Sequence, residues 1–297
     1  MWVTYKNGNY FVDINLNDGT KIRYNDSDSF RPERPESMDI TISTYCEMGC
    51  EFCYAGCSKN GKHADIMLHS FIDNLEPYTE LALNGNEPLH PDLIPFLHKC
   101  YELKLIPSLT VNQHTFMKNI GLLKKLSNDR LIYGIGVSLS NPTDEFIEAV
   151  SKFPNAVIHT VCGIVSMNNF RAMSGKGLKI LLLGYKDSGR GIDYHNCHDT
   201  EIERNKIELY NALPNMIDNE WYNVISFDNL ALEQLDVERL MSEDEWARFY
   251  LGDDGSHSMY IDMVEKKFAK SSISNELYNL EDDIKTMFDN VRSKEGV

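Results

Sequence analysis

Asp39-Ile40-Thr41-Ile42-Ser43-Thr44-Tyr45-Cys46-Glu47-Met48-Gly49-Cys50-Glu51-Phe52-Cys53-Tyr54-Ala55-Gly56-Cys57 joins a short apolar run to four of the chain's seven cysteines. Asp39 to Ile42 reads as a β-strand that ends in polar Thr44 just before the cysteines. The other three, Cys100, Cys162 and Cys197, are isolated. An odd cysteine count in a chain of 297 residues, with no charged-then-apolar signal at Met1 to Lys6, speaks against a disulfide framework. The expected compartment is therefore the cytosol, where clustered cysteines hold a metal more often than each other.

Outward from this stretch the strand pattern repeats. Apolar runs recur at Leu81–Leu83, Ser108–Val111, Tyr133–Val137, Val157–Val161 and Lys179–Leu183. Amphipathic segments lie between them at Phe71–Tyr78, Pro91–Leu103, Phe116–Leu126 and Thr143–Phe153. Strands alternating with helices mean βαβ units and a parallel sheet. The expected fold is α/β, a partial (β/α)6 TIM-type barrel over residues 38–230, with Val224–Phe227 as a further strand at one edge. Residues 1–37 form an N-terminal β-hairpin and Pro-bearing linker: Tyr10–Leu16 alternates, Asp18-Gly19 turns and Thr20–Tyr24 returns. Residues 231–297 form a C-terminal α+β extension over the barrel mouth. A helix is expected at Glu201–Leu213, with Asp187–Gly191 a loop and His195-Asn196-Cys197-His198 a polar loop. Ser256–Ser272 is expected to cover the mouth or to form a solvated helix.

Charge narrows the function. Lys plus Arg number 29 against 45 Asp plus Glu, a formal net charge of −16. That balance disfavours duplex nucleic acid, which is bound through phosphate neutralisation. The absence of a long apolar run excludes a membrane-spanning helix.

The cysteine spacing carries the chemistry. Thiolates at Cys46, Cys50 and Cys53 can reach three corners of one small inorganic cluster, and thiolates suit iron–sulfur clusters and zinc alike. Cys57 leaves open a four-ligand zinc site or a fully ligated cluster in a non-catalytic binding protein. Every strand of the series ends in polar residues: Thr44, Asn84, Asn112, Ser138 and Ser140, His159 to Cys162, Lys186, and Asp228-Asn229. In barrel folds the C-terminal rim of the strands is where chemistry sits.

Cys46, Cys50, Phe52 and Cys53 fit the pattern Cys-x3-Cys-x-aromatic-Cys, and the chain thereby resembles the radical S-adenosylmethionine (SAM) superfamily over at least residues 38–186. Asn84-Gly85-Asn86-Glu87-Pro88 stands where that family has Gly-Gly-Glu-Pro, with Asn86 in place of the second glycine. The resemblance implies a [4Fe–4S] cluster on Cys46, Cys50 and Cys53 with one iron left for SAM. It implies that Gly85, Asn86 and Glu87 hold the methionine end. Asn112, Ser138 and Ser140 then serve the carboxylate and ribose, and Phe52 and Ile164 the adenine. The implied activity is reductive cleavage of SAM to a 5′-deoxyadenosyl radical that abstracts hydrogen from a substrate. An external one-electron reductant of the flavodoxin or ferredoxin type is implied as partner.

The substrate-side residues are not fixed by the sequence. Tyr54 and Cys57 are candidates by position, and Asp228 serves either as a substrate contact or as a helix cap. The lack of auxiliary-cluster cysteines and of a peptide-recognition domain favours a compact small molecule or nucleotide. A peptide or protein side chain is the alternative.

Overall fold

The computed structural model describes residues 1–27, 29–85 and 90–292. The chain opens with β1 (Trp2–Asn7), β2 (Tyr10–Asn15) and β3 (Lys21–Tyr24), an antiparallel sheet in the order β1-β2-β3. The expected hairpin is β2–β3. Its extension by β1 was not anticipated. The signal was present: Gly8-Asn9 is a two-residue turn, Gly8 has φ 60°, and Asn7 pairs with Tyr10 across it.

The next strands are β4 (Ser37–Thr41), β5 (Glu80–Asn84), β6 (Ile106–Asn112), β7 (Gly134–Ser138), β8 (Ala156–Val161), β9 (Lys179–Leu183) and β10 (Val224–Phe227). Each is parallel to the one before it. The crossovers carry α1 (Leu93–Glu102), α2 (Gln113–Lys118), α3 (Ile120–Asn128), α4 (Asp144–Val150), α5 (Met167–Met173) and α6 (Arg190–Asp218). After β10 come α7 (Asn229–Gln234), α8 (Glu243–Phe249), β11 (Ser258–Asp262), β12 (Lys267–Ala269), β13 (Tyr278–Asn279) and α9 (Ile284–Val291). β11 pairs in parallel with β4, and β12 and β13 add antiparallel strands beyond it. The result is a mixed α/β fold around one large, mainly parallel sheet, with β10 at one end of the strand order and β13 at the other. No closed barrel forms among the described residues. No described helix is long and apolar enough to cross a membrane.

Several expected elements differ. Phe71–Tyr78 is not a helix but a single 3-10 turn, Ser70–Asn74, whose Phe71 and Ile72 are buried. Pro77 disfavours helical backbone at Glu76 and stops propagation. Phe116–Leu126 is broken at Asn119, which ends α2 and starts α3. His195 to His198 is helical, not a polar loop: α6 starts at Arg190 and continues through a kink at His198. Ser256–Ser272 is no solvated helix; Phe268 and Ala269 bury as strand β12.

The two faces of the parallel sheet differ in chemistry. Met38, Ile40, Leu81, Leu83, Leu109, Val111, Ile135, Val137, Ile158, Ile180 and Leu182 are buried in the main core. The opposite parity brings Asp39, Ala82, Ser108 and Gly134 into one register row and Asn112, Ser138, His159 and Leu181 into another. These residues are only partly covered, and Asp39 is exposed. Parallel strands are normally apolar on both faces because both are covered. The second face, mixed in polarity and only partly covered, departs from that pattern.

The N-terminal sheet docks through charge. Fully buried Glu36 accepts from Tyr10 Oη at 2.5 Å and from Arg23 Nε at 2.9 Å, and lies 3.2 Å from Lys21 Nζ. Burial alone would raise the Glu36 carboxyl; the Lys21 and Arg23 charges and the Tyr10 hydroxyl outweigh it and hold the group at about 2.

Candidate functional site

Strand β4 delivers the cysteine loop to its C-terminal end. Ile42 N–H donates to Asn84 O at 3.0 Å, so the chain leaving β4 stays tied to β5. The loop closes at its base: Cys46 N–H donates to Ser58 O at 2.9 Å, and Ser58 N–H to Thr44 O at 3.1 Å. Gly61 is required below it, because a Cβ there would lie 2.0 Å from Thr44 O. The excursion from Cys46 to Cys57 is thus pinned at both feet. All four of its cysteines are unpaired and half-buried.

The four thiols influence one another electrostatically. The Cys57 thiol donates to the Cys53 sulfur, and the Cys57 and Ala55 N–H groups donate to it as well. These bonds lower the Cys53 thiol to about 6 against the cost of its burial. The same bond, with burial, pushes Cys57 far up and keeps it protonated. Burial raises Cys50, helped by the neighbouring Cys53 and Cys46. Among the described residues no three His, Cys, Asp or Glu side chains converge as ligands of a single metal ion.

Gly85, at the end of β5, adopts φ 126°, and a Cβ on it would lie 2.3 Å from Ser43 O. Only glycine fits this crossing of the β5 end and the start of the cysteine loop. Asn86 and Glu87 lie outside the described residues. Ser43 is itself organised: its hydroxyl lies 2.9 Å from His63 Nδ1 and accepts from Tyr45 N–H at 3.0 Å.

The other strand ends fall on the same rim. Asn112 caps α2, its Oδ1 accepting from Thr115 N–H at 2.8 Å. Ser138 is opposite Asn112 and His159 in the register. Ser140 donates its N–H to Gln113 Oε1 at 2.8 Å, and Gln113 Nε2 donates to Asn141 O at 2.6 Å. Gln113, buried between two strand-end loops, was not singled out by its sequence context. Ile164 is half-buried in the turn after β8. Its neighbour Gly163 has φ 82° and packs against Ile202. Phe52 meets Tyr194 of α6 edge to face, ring centres 5.8 Å apart.

Beside the cysteine loop lies a mixed polar cluster. Lys186 Nζ stands 4.4 Å from the centre of the Tyr54 ring and donates to Ser272 Oγ at 3.0 Å. Burial raises the Tyr54 phenol and Asp39 adds to the rise; the hydrogen bond with Ser272 opposes it. Asp39 is open to solvent yet crowded by protein on its other sides, and that desolvation raises its carboxyl against the attraction of Lys186. Asp228 is a helix cap: its Oδ1 accepts from Ala231 N–H and from Gly184 N–H, both at 2.8 Å. His159, whose ring packs on Gly136, is lowered to about 4 by the same kind of desolvation. Asp39 was not expected here, whereas Ser272 belongs to the segment expected to cover the mouth. The one available signal was the odd parity of Asp39, a charge inside an apolar strand.

The donor chemistry fits an iron–sulfur cluster: soft thiolates on one anchored loop, one already biased to its ionised form. Cys46, Cys50 and Cys53 are the residues that would hold it. The Gly85 turn adjoins that loop through Ser43, beside the partly covered face of the sheet.

Comparison with other proteins gives a shared fold. No family model matches the chain, and no curated protein matches it. The structure of Streptococcus suis SuiB bound to precursor peptide SuiA aligns with TM-score 0.59 at 13% identity, covering 98% of this chain and 89% of SuiB. SuiB bound to S-adenosylmethionine aligns with TM-score 0.56 at 13% identity, covering 94% of this chain and 84% of SuiB. A further SuiB structure gives TM-score 0.55 at 12% identity, with the same coverage.

Proposed function

We propose that the chain is a radical SAM enzyme acting on a peptide. One observation carries this: the loop bearing Cys46, Cys50 and Cys53 stands at the end of β4, against the Gly85 turn and beside the partly covered face of the sheet. The fold shared with SuiB, which has been solved with both SAM and a precursor peptide, supports the same assignment. It also moves the substrate from the compact molecule favoured by the cysteine count to the peptide alternative.

In this account Cys46, Cys50 and Cys53 ligate a [4Fe–4S] cluster, and residues 38–230 curl as a partial barrel around the SAM site. Bound together, cluster and SAM supply one-electron reductive cleavage, with the electron from an external flavodoxin- or ferredoxin-type donor; the radical chemistry is theirs. The protein's residues bind, orient and shield. The Ser43–Gly85 crossing sets the approach of the methionine end. Glu87, by its sequence position, offers a carboxylate to the methionine ammonium. Asn112, Ser138 and Ser140 line the rim for the carboxylate and ribose, with Phe52 and Ile164 toward the adenine. The C-terminal extension covers the mouth, and the Lys186–Ser272 bond ties that cover to the loop after β9. Tyr54 and Lys186, 4.4 Å apart beside the loop, are the candidates for contact with a substrate side chain.

The test is SAM binding to the anaerobically reconstituted protein, followed by the electron paramagnetic resonance spectrum of the reduced cluster. Added SAM is expected to shift that spectrum. A spectrum indifferent to SAM contradicts the proposal.

A further inference from the structure

Four carbonyls of the cysteine loop are engaged by one short turn that lies more than a hundred residues further along the chain. That turn is Ser188-Gly189, running into Arg190 and Gly191, the first residues of α6. The Arg190 guanidinium donates Nε–H to Cys50 O at 2.9 Å and Nη2–H to Cys57 O at 2.9 Å. The Arg190 backbone N–H donates to Cys53 O at 3.1 Å. The Ser188 hydroxyl donates to Tyr54 O at 3.3 Å. Gly189 permits this approach: it has φ 52°, and a Cβ on it would lie 2.3 Å from Tyr54 O. A Cβ on Gly191 would lie 2.5 Å from Lys186 O.

Resting on the cluster-binding role proposed above, we propose that Arg190 is the positioning residue of the cysteine loop and that its charge eases reduction of the cluster held there. A planar guanidinium spans the two separated carbonyls at once, which an ammonium does not do with fixed geometry. Its two bonds reach the carbonyls of the second ligand, Cys50, and of Cys57, so they brace the segment that carries Cys53. The same two bonds place the positive charge beside the Cys50–Cys57 segment. Reduction adds one electron to an already anionic cluster, so a cation beside its thiolates raises the potential. Groups that orient the ligands of a metal centre commonly tune it in this way.

Two measurements on the full chain test this, with Arg190→Gln and Arg190→Lys. In cluster-free protein, hydrogen exchange in residues 50–57 is expected to speed up about tenfold in both variants, with α1 unchanged, because the bidentate brace is lost. After anaerobic reconstitution, a potentiometric titration of the cluster follows. Arg190→Gln is expected to lower the ratio of reduced to oxidised cluster at fixed potential about tenfold, or about 59 mV for a one-electron couple, whereas Arg190→Lys stays near the parent. Parent-like exchange in both variants overturns the positioning role. A parent-like potential in Arg190→Gln overturns the charge role. If Arg190→Gln takes up no iron, exchange in cluster-free Arg190→Lys decides the positioning role. A parent chain that takes up no cluster at all defeats the proposed function, and exchange alone then judges Arg190.

Discussion

The thiol of Cys57 donates a hydrogen bond to the sulfur of Cys53, the third cysteine of the loop. A fourth cysteine so near the three proposed ligands raises the question of whether it is a ligand too. The pairing lowers the Cys53 thiol and raises that of Cys57, so the shared hydrogen stays on Cys57.

That relationship predicts an order of reactivity in metal-free protein. Alkylation of Cys53 is expected to rise through about pH 6, well before Cys50 or Cys57 reacts. A lowered pKa means that the reactive thiolate is present above that pH and lost below it. Cys57→Ala removes the donor and is expected to move the Cys53 profile upward. Peptide mass spectrometry after timed iodoacetamide pulses reads both, and an unmoved profile contradicts the bond.

Gly85 and Ser43 predict a second outcome. Gly85→Ala forces a Cβ to within 2.3 Å of Ser43 O at φ 126°. The expected cost is about 1–3 kcal/mol of stability in urea melts, since the strained conformation has no relief among its neighbours. SAM affinity is expected to fall more than stability does. Retained affinity separates the turn from the SAM site.

The buried Glu36 predicts acid sensitivity. Its ordinary value is 4.5 and the folded value is about 2, so the group binds fewer protons when folded than when unfolded. The stabilisation is complete above about pH 4.5 and is lost as pH falls toward 2, amounting to about 3 kcal/mol. Glu36→Gln is expected to flatten this part of the pH–stability curve and to lower stability at pH 7, because Arg23 and Lys21 are left facing a neutral group. A Gln variant that keeps the parent's acid slope assigns the effect elsewhere.

Much of the parallel sheet was legible because its strands obey a local rule. Runs such as Leu81–Leu83 and Lys179–Leu183 had to bury one face, and the capping residues Thr143 and Asp228 accept the N–H bonds expected of them. Cys100, inside the amphipathic segment Pro91–Leu103, packs in the core. What failed depends on long-range partners. Phe71 and Ile72 join the main core from a single 3-10 turn, not from a helix of their own. Phe268 and Ala269 become strand only because β11 pairs with β4. In the site, the cysteine spacing was readable within twelve residues of sequence, whereas the contacts of Arg190 and Ser272 reach partners far along the chain. No periodicity records a contact of that kind.

The central claim is that three thiolates hold a cluster that cleaves SAM. The most direct measurement is 5′-deoxyadenosine formed by the reconstituted, reduced protein under anaerobic conditions, compared across Cys46→Ala, Cys50→Ala, Cys53→Ala and Cys57→Ala. The account predicts product from the parent and from Cys57→Ala, and none from the other three. Product at the parent rate from Cys50→Ala, or a parent that binds only zinc and forms none, contradicts it.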